Sequence, residues 1–170
     1  MFLTQYTWGV NRFLRLSDER QLPRIASIQN AYSLVNRTYE IGLSEIGIHD
    51  DVGLLAYSPL ALGALSGKYL GGALPKGSRR ALFDRFNRYD HPLVDEAVAR
   101  YVELARSNGL DPSQMAIAYV IEQPFVASAI IGATNLDQLS KNIGAWNLSL
   151  SSEVREGIEA IHRRYPNLVH

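Results

Sequence analysis

Three short runs rich in apolar and β-branched residues, separated by stretches of helical periodicity, constrain this 170-residue chain more than anything else in it. They are Arg24–Gln29, Val52–Tyr57 and Phe125–Ile131. Strands that alternate with helices call for a parallel sheet, because a parallel neighbour is reached only through a crossover connection. Phe125–Ile131, uncharged throughout, reads as a strand buried on both faces. Helices are expected over Trp8–Arg20, on Val10, Phe13 and Leu14, and over Leu34–Ile46, closed near Gly47. After Pro92, residues Val94, Ala97, Val98, Tyr101, Leu104 and Ala105 fit the i, i+3, i+4, i+7 template, with Gly109 as terminator. Asp111-Pro112-Ser113-Gln114 opens another helix, Asp capping and Pro in the first turn. Thr134-Asn135-Leu136-Asp137 resembles a capping box for a helix reaching Ala145, and Ser151 caps a last helix along Val154, Ile158 and Ile161. No linker or repeat divides residues 1–170, which read as a single α/β domain. Three such strands cannot close a parallel barrel, which takes eight and typically about 250 residues.

Leu60–Asp90 is different in kind, with five glycines (Gly63, Gly67, Gly71, Gly72, Gly77) and little periodicity. Loops of that length inside a compact domain are usually functional or disordered. Its second half sets Arg79, Arg80, Arg85 and Arg88 among aromatics. Gly63–Tyr69 superficially suggests a phosphate-binding P-loop, but three residues separate the glycines where four are needed, and Tyr69 stands where Ser or Thr is required.

Composition narrows the function classes. Seventeen basic against seventeen acidic side chains leave no net charge, which argues against nucleic acid as the main partner. The longest uncharged stretch, between Asp51 and Lys68, is 16 residues broken by Ser58, Pro59 and Ser66, too short to span a bilayer. The first ten residues lack a charged n-region and a small-residue cleavage site, so no secretory signal is expected. The chain has no cysteine, which removes disulfides, thiolate metal sites and a Cys nucleophile. None of His49, His91, His162 and His170 has ligand spacing or a strand-end position, so no metal is expected. A cytoplasmic enzyme, or part of one, is the expectation.

Three blocks together resemble the aldo-keto reductase family, in particular its branch similar to Tas and to the β subunits of voltage-gated potassium channels. Ser27-Ile28-Gln29-Asn30-Ala31-Tyr32-Ser33-Leu34 is similar to the sixth strand of that family's barrel and the turn after it. Leu55–Gly63 with Gly67-Lys68-Tyr69 is similar to the seventh strand and its cofactor loop. Ile130-Ile131-Gly132-Ala133-Thr134, with Gln138, Leu139 and Asn142, is similar to the eighth strand and the helix beyond. The resemblance implies the C-terminal half of a (β/α)8 TIM barrel, beginning just after the fifth strand. The family's catalytic Asp, Tyr, Lys and His belong to the first four strands, and no position here corresponds to them. The Ser-Asn pair at the end of the fifth strand has no counterpart in Met1–Tyr6.

The implied cofactor is NADP(H). By resemblance the Tyr57 ring stacks on the nicotinamide and Gln29 bonds its carboxamide. The turn of Ser58, Pro59, Leu60, Ala61 and Gly63 offers backbone N–H groups, from all but the proline, with little bulk, suited to a pyrophosphate. Lys68 and Arg79 supply charge for phosphates, Arg79 matching the 2′-phosphate best. Gly132 permits close backbone approach, and Thr134 heads a helix whose N-terminus favours anions. Gln138 and Asn142, four apart, present two amides to the adenine ribose, while Leu136, Leu139 and Ile143 pack inward. Tyr32 and Phe86 are candidates for a substrate wall. The whole reaction would be direct hydride transfer to a small carbonyl substrate, the acid coming from an N-terminal half. A non-catalytic nucleotide-binding or self-associating fragment is the alternative, and open strand edges make a homo-oligomer the expected state.

Overall fold

The computed structural model describes residues 2–3 (backbone alone), 6–83 and 88–169. Its elements are β1 (Phe2–Leu3), α1 (Thr7–Arg20), β2 (Ser27–Ala31), α2 (Leu43–His49), β3 (Gly53–Tyr57), α3 (Arg79–Leu82), α4 (Pro92–Ser107), α5 (Pro112–Ile121), β4 (Val126–Ile130), α6 (Leu136–Gly144) and α7 (Ser152–Arg164). The strands form one parallel sheet in the order β1-β2-β3-β4. The three expected strands are there, and β1, too short to carry a pattern, adds a fourth beside β2. This is the α/β architecture of a partial TIM barrel.

Register separates the two faces of the sheet. Ile28 pairs with Leu54 and Asn30 with Ala56, and Ile28, Leu54 and Ala56 are buried under the helices. Gln29 pairs with Leu55 and Ala31 with Tyr57, while Leu55 and Tyr57 continue to Ser128 and Ile130 of β4. Along this second face Gln29, Leu55 and Tyr57 are half-buried, and Ser128 and Ile130 are exposed. The register slips between Leu54 and Leu55, leaving Ala127 as the extra residue of a bulge. Gly53 admits it, since a Cβ there would lie 2.7 Å from that of Ala127. The expectation that Val126–Ile131 is buried on both faces is overturned. β4 has β3 on one side and, among the described residues, no strand on the other.

The helical layer follows its caps. The Asp111 carboxylate accepts from the N–H groups of Ser113 and Gln114, with Pro112 in the first turn. Burial by itself would raise this carboxyl, but the bond from Lys141 at 2.8 Å and the two N–H donors outweigh it and hold its pKa below the ordinary value. Residues Met115–Val120 of α5 are all buried, as suits a helix wedged between the sheet and α4. Ser151 Oγ accepts from Val154 N–H and starts α7, which packs on α4 with Gly157 against Leu104.

The helix expected over Leu34–Ile46 is replaced by a turn, a short 3-10 segment (Thr38–Glu40) and then α2. Asn36 Oδ1 accepts from the N–H and the hydroxyl of Thr38, a local bond that competes with helix. Gly42, at φ 90°, then breaks the chain before α2. Among the described residues, this turn holds the buried charged side chain. Arg37, 8% exposed, makes two bonds to the Glu40 carboxylate (2.7 and 2.8 Å) and one to Glu159 of α7 (2.7 Å). Its guanidinium lies 5.3 Å from the Tyr119 ring centroid. Burial alone would lower its pKa, but Glu40 and Glu159 outweigh this and raise it.

The expectation of Tyr32 as a substrate wall is corrected by the same cluster. Its side chain is fully buried, with the ring packed against Tyr39, Tyr119 and Phe125 and the hydroxyl donating to Glu40 at 2.5 Å. Phe86 lies outside the described residues. Removing Arg37 would strand two carboxylates, so Arg37→Met is expected to cost about 3 kcal/mol in urea unfolding, as for other broken buried pairs. A change below about 0.5 kcal/mol would mean that the cluster carries no stability.

Candidate cofactor site

The parallel strands all end at one side of the sheet, and the loops after β3 and β4 leave it side by side, because Tyr57 and Ile130 are register partners. That end is where α/β folds place their sites. Gln29 and Tyr57 both look out from the uncovered face, Gln29 two residues before the end of β2 and Tyr57 at the last position of β3.

The loop after β3 is tightly built. Ser58, Ala61, Leu62 and Gly63 all have positive φ, and three of them are not glycine. Such a backbone persists only where its surroundings hold it. Here Ala61 N–H donates to the Ser58 carbonyl (2.8 Å), and the N–H groups of Gly63 (2.8 Å) and Leu65 (3.2 Å) donate to that of Leu60. Pro59, Ala61, Ala64 and Leu65 are buried beneath it. Despite its lack of periodicity this stretch is ordered, with 3-10 turns over Ala61–Ser66 and Leu70–Gly72.

Lys68 lies across Gly63. A Cβ on Gly63 would sit 2.9 Å from both Cε and Nζ of Lys68. The glycine thus leaves the space that the ammonium occupies, besides supplying φ 94°. Nζ is 5.1 Å from the Tyr69 ring centroid, and the Arg80 guanidinium is 4.4 Å from the same ring. Arg80 also donates to the Tyr89 carbonyl (2.9 Å) and lies 3.8 Å from Asp90. Among the loop arginines the sequence points to Arg79, yet Arg80 also ties the loop together. Arg79 opens α3 on the exposed side. No spacing marked Arg80, because its partners are a neighbouring ring and a backbone carbonyl.

At the end of β4, Gly132 and Thr134 are exposed. A Cβ on Gly132 would meet nothing within 4 Å, so the room it leaves is open to a ligand and is not filled by the protein. Asn135, and not Thr134, caps α6, its Oδ1 accepting from Gln138 N–H at 2.9 Å. Thr134 instead donates from its N–H and its hydroxyl to Gln138 Oε1, both at 3.1 Å. This bond fixes the amide so that its NH₂ faces away from Thr134. Gln138 and Asn142 do not form the matched pair expected from their spacing. Gln138 is exposed, whereas Asn142 is 5% exposed and donates to the Gly132 carbonyl at 3.4 Å, bracing the turn. The inward packing expected for Leu136, Leu139 and Ile143 is also overturned, since they are 80%, 38% and 58% exposed.

The donor set suits an extended dinucleotide with phosphates at two places: cations at Lys68 and Arg79, a small-residue backbone loop, a turn open at Gly132 and an exposed amide at Gln138. The two glycines should respond differently to substitution. Gly63→Ala is expected to cost about 1 kcal/mol or more, because alanine resists positive φ. Gly132→Ala should stay within about 0.5 kcal/mol, as an open surface change does. Urea unfolding of both variants measures this, and equal losses would contradict the packing described.

Residues 4–163 match the model of the Aldo/keto reductase family. Protein Tas of Escherichia coli strain K12 is 54% identical over 158 residues, covering 93% of this chain and 46% of that protein. A probable voltage-gated potassium channel subunit beta of Oryza sativa subsp. japonica is 38% identical over 68% of this chain and 37% of its own length. An L-glyceraldehyde 3-phosphate reductase of Escherichia coli O157:H7 is 32% identical over 84% of this chain and 42% of its own. The chain thus spans about half the length of these relatives or less. With the family model matched over nearly the whole chain and the half-barrel sheet in place, the chain belongs to the aldo/keto reductase family.

Proposed function

We propose that this chain is the NADP(H)-binding half of a cytoplasmic reductase of small carbonyl compounds. The observation that carries the reading is the adjacency, at the C-terminal end of the sheet, of the loop holding Lys68 across Gly63 and the turn open at Gly132. The name of the reductase relative is in keeping with it. When bound, NADPH supplies a hydride for a carbonyl carbon. The residues of this chain bind and orient it. Tyr57 offers an aromatic face and Gln29 an amide donor and acceptor, both from the uncovered face of the sheet. The Ser58–Gly63 loop offers the pyrophosphate the backbone N–H groups that its own turns do not use, those of Ser58, Leu60 and Leu62, while Ala61 and Gly63 hold its shape. Lys68, Arg79 and the Gln138 NH₂ hold the 2′-phosphate and the adenine end, while Asn142 steadies the Gly132 turn beside them. Arg80, through Tyr69, keeps the Lys68 loop in shape as a positioning residue.

Titration calorimetry tests this directly. NADPH should bind at least tenfold more tightly than NADH, since each charge-assisted bond to the 2′-phosphate contributes about 1.5–3 kcal/mol. Lys68→Ala and Gln138→Ala should narrow the difference, and raising the salt concentration should weaken NADPH the more. Equal affinities would remove the 2′-phosphate assignment, and no binding of either would remove the reading.

The proton donor is assigned to the family's first four strands, so the purified 170-residue chain should show no NADPH-dependent reduction of a panel of aldehydes. Turnover that survives repurification and is lost in Tyr57→Ala would require an acid among these residues.

A further inference from the structure

We propose that Lys141 is a movable ligand for the 2′-phosphate, stored on Asp111 in the free protein, so that Asp111 sets how strongly NADPH is preferred over NADH. The inference rests on the reading of this half as an NADP(H) site and deepens it at the adenine end. The observation is an ion pair between two helices: Nζ of Lys141 in α6 lies 2.8 Å from Oδ2 of Asp111, the cap of α5. Asp137, four residues back on the same helix, is where a lysine ordinarily finds its partner, yet the ammonium crosses to the neighbouring helix. Both ends of that bond are close to the candidate site. Helix α5 packs on β4 and leads into it through residues 122–125, so its other end, with Asp111, lies at the C-terminal end of the strands. Lys141 stands three residues after Gln138, a spacing that sets two side chains on adjoining parts of one helix surface. The Gln138 oxygen is taken by Thr134, its NH₂ is left for a ligand, and Lys141 adds the charge that an amide lacks.

The pair is built so that it can part. The Lys141 side chain is 50% exposed and that of Asp111 28%, and ion pairs so open to water hold weakly. Asp111 is not stranded when the ammonium leaves, since Oδ1 keeps the N–H groups of Ser113 (2.9 Å) and Gln114 (3.2 Å) and Oδ2 can take water. Nor does α6 come away. Gln114 Nε2 donates to the Lys141 carbonyl at 3.0 Å, and Gly144 leaves room for that amide, since a Cβ there would lie 2.7 Å from it. The backbone at Lys141 is therefore held independently of its ammonium. Arg37, buried and bound to two carboxylates at once, has no such freedom. A phosphate monoester carries close to two negative charges at neutral pH against one on Asp111, so a 2′-phosphate beside the Gln138 amide draws the ammonium over. NADH, with a hydroxyl in that place, leaves Lys141 where it is. Asp111 acts against the phosphate twice, by competing for Lys141 and by its own negative charge.

Adenosine 2′,5′-bisphosphate and 5′-AMP, titrated calorimetrically, isolate this end from the rest of the cofactor. Asp111→Asn removes the competitor and keeps the cap, since Asn caps a helix as well as Asp does. It is expected to raise affinity for the bisphosphate about threefold and to leave that for 5′-AMP within about twofold. Lys141→Gln should lower bisphosphate affinity about fivefold, and Lys141→Arg should restore most of it. A purely structural clasp would not give opposite signs for its two partners, because breaking it from either side loosens α6 alike. A second measurement needs no variant. The chain has three lysines, Lys68, Lys76 and Lys141, and the ε-methylene resonance of Lys141 should shift with the bisphosphate and not with 5′-AMP. An unmoved Lys141 resonance would overturn the inference alone, provided the unaltered chain prefers the bisphosphate. So would an Asp111→Asn variant that binds the bisphosphate no better. No preference in the unaltered chain would overturn the NADP(H) reading, and this inference with it.

Discussion

A parallel sheet is stable when both of its faces are covered, and in this molecule the helices cover only one. On that side Ile28, Leu54 and Ala56 are buried, with α2 packed on β3 and α5 on β4. The other side shows a mixed row of Gln29, Leu55, Tyr57, Ser128 and Ile130. That row is too polar for an ordinary core and too apolar for a finished surface. It makes sense as the inner wall of a barrel whose opposite wall comes from elsewhere. The open edges, the bare face of α6 and the outward aim of Tyr57 and Gln29 all follow from this one asymmetry.

The covered side has to be rigid on its own, and the Arg37 cluster contributes to that. It joins the turn after β2 to α5 through Tyr119 and to α7 through Glu159, while Asn167 Oδ1 accepts from the Arg37 N–H at 3.0 Å. The ends of β2 and β3 are thereby fixed to the helical layer, since Tyr32, one residue beyond β2, belongs to the same cluster and takes the Tyr57 carbonyl with its N–H. The strand ends that carry Gln29 and Tyr57 are held from behind.

Strands β2, β3 and β4 and helices α1, α4, α5 and α7 are legible in the sequence, because local signals settle them: the Asp111-Pro112 cap, Ser151, and runs of Val, Ile and Ala. The errors fall where a distant partner, or a side-chain bond that spacing does not show, decides. Leu34–Ile46 has helical spacing but is bent by the Asn36 side chain and Gly42. Tyr32 has the strand-end position of a binding residue, and the three aromatic rings behind it turn it inward. Leu136, Leu139 and Ile143 have a buried pattern and no surface here to bury against. Of the candidate site, Gly63, Gly132, Lys68 and Arg79 are named by the family resemblance alone, whereas the Arg80–Tyr69 contact and the internal use of Asn142 come only from the structure. Each depends on a backbone carbonyl or a ring that spacing does not reveal.

The two loops of the candidate site also differ in what shapes them. Gly63 is fixed by its own chain, with a strained backbone, a lysine stem lying across it and buried alanines beneath. Gly132 is fixed by little except the Asn142 bond, and opens on space. A nucleotide spanning both would meet a preformed pyrophosphate loop first and then order the second turn around its adenine end. Ordering that exposed turn has an entropic cost, and the Thr134–Gln138 bonds reduce it by fixing the amide beforehand. On the proposed function, binding strength in this half would depend on the Lys68 loop, and discrimination at the 2′-phosphate on how well the Gln138 turn is already set.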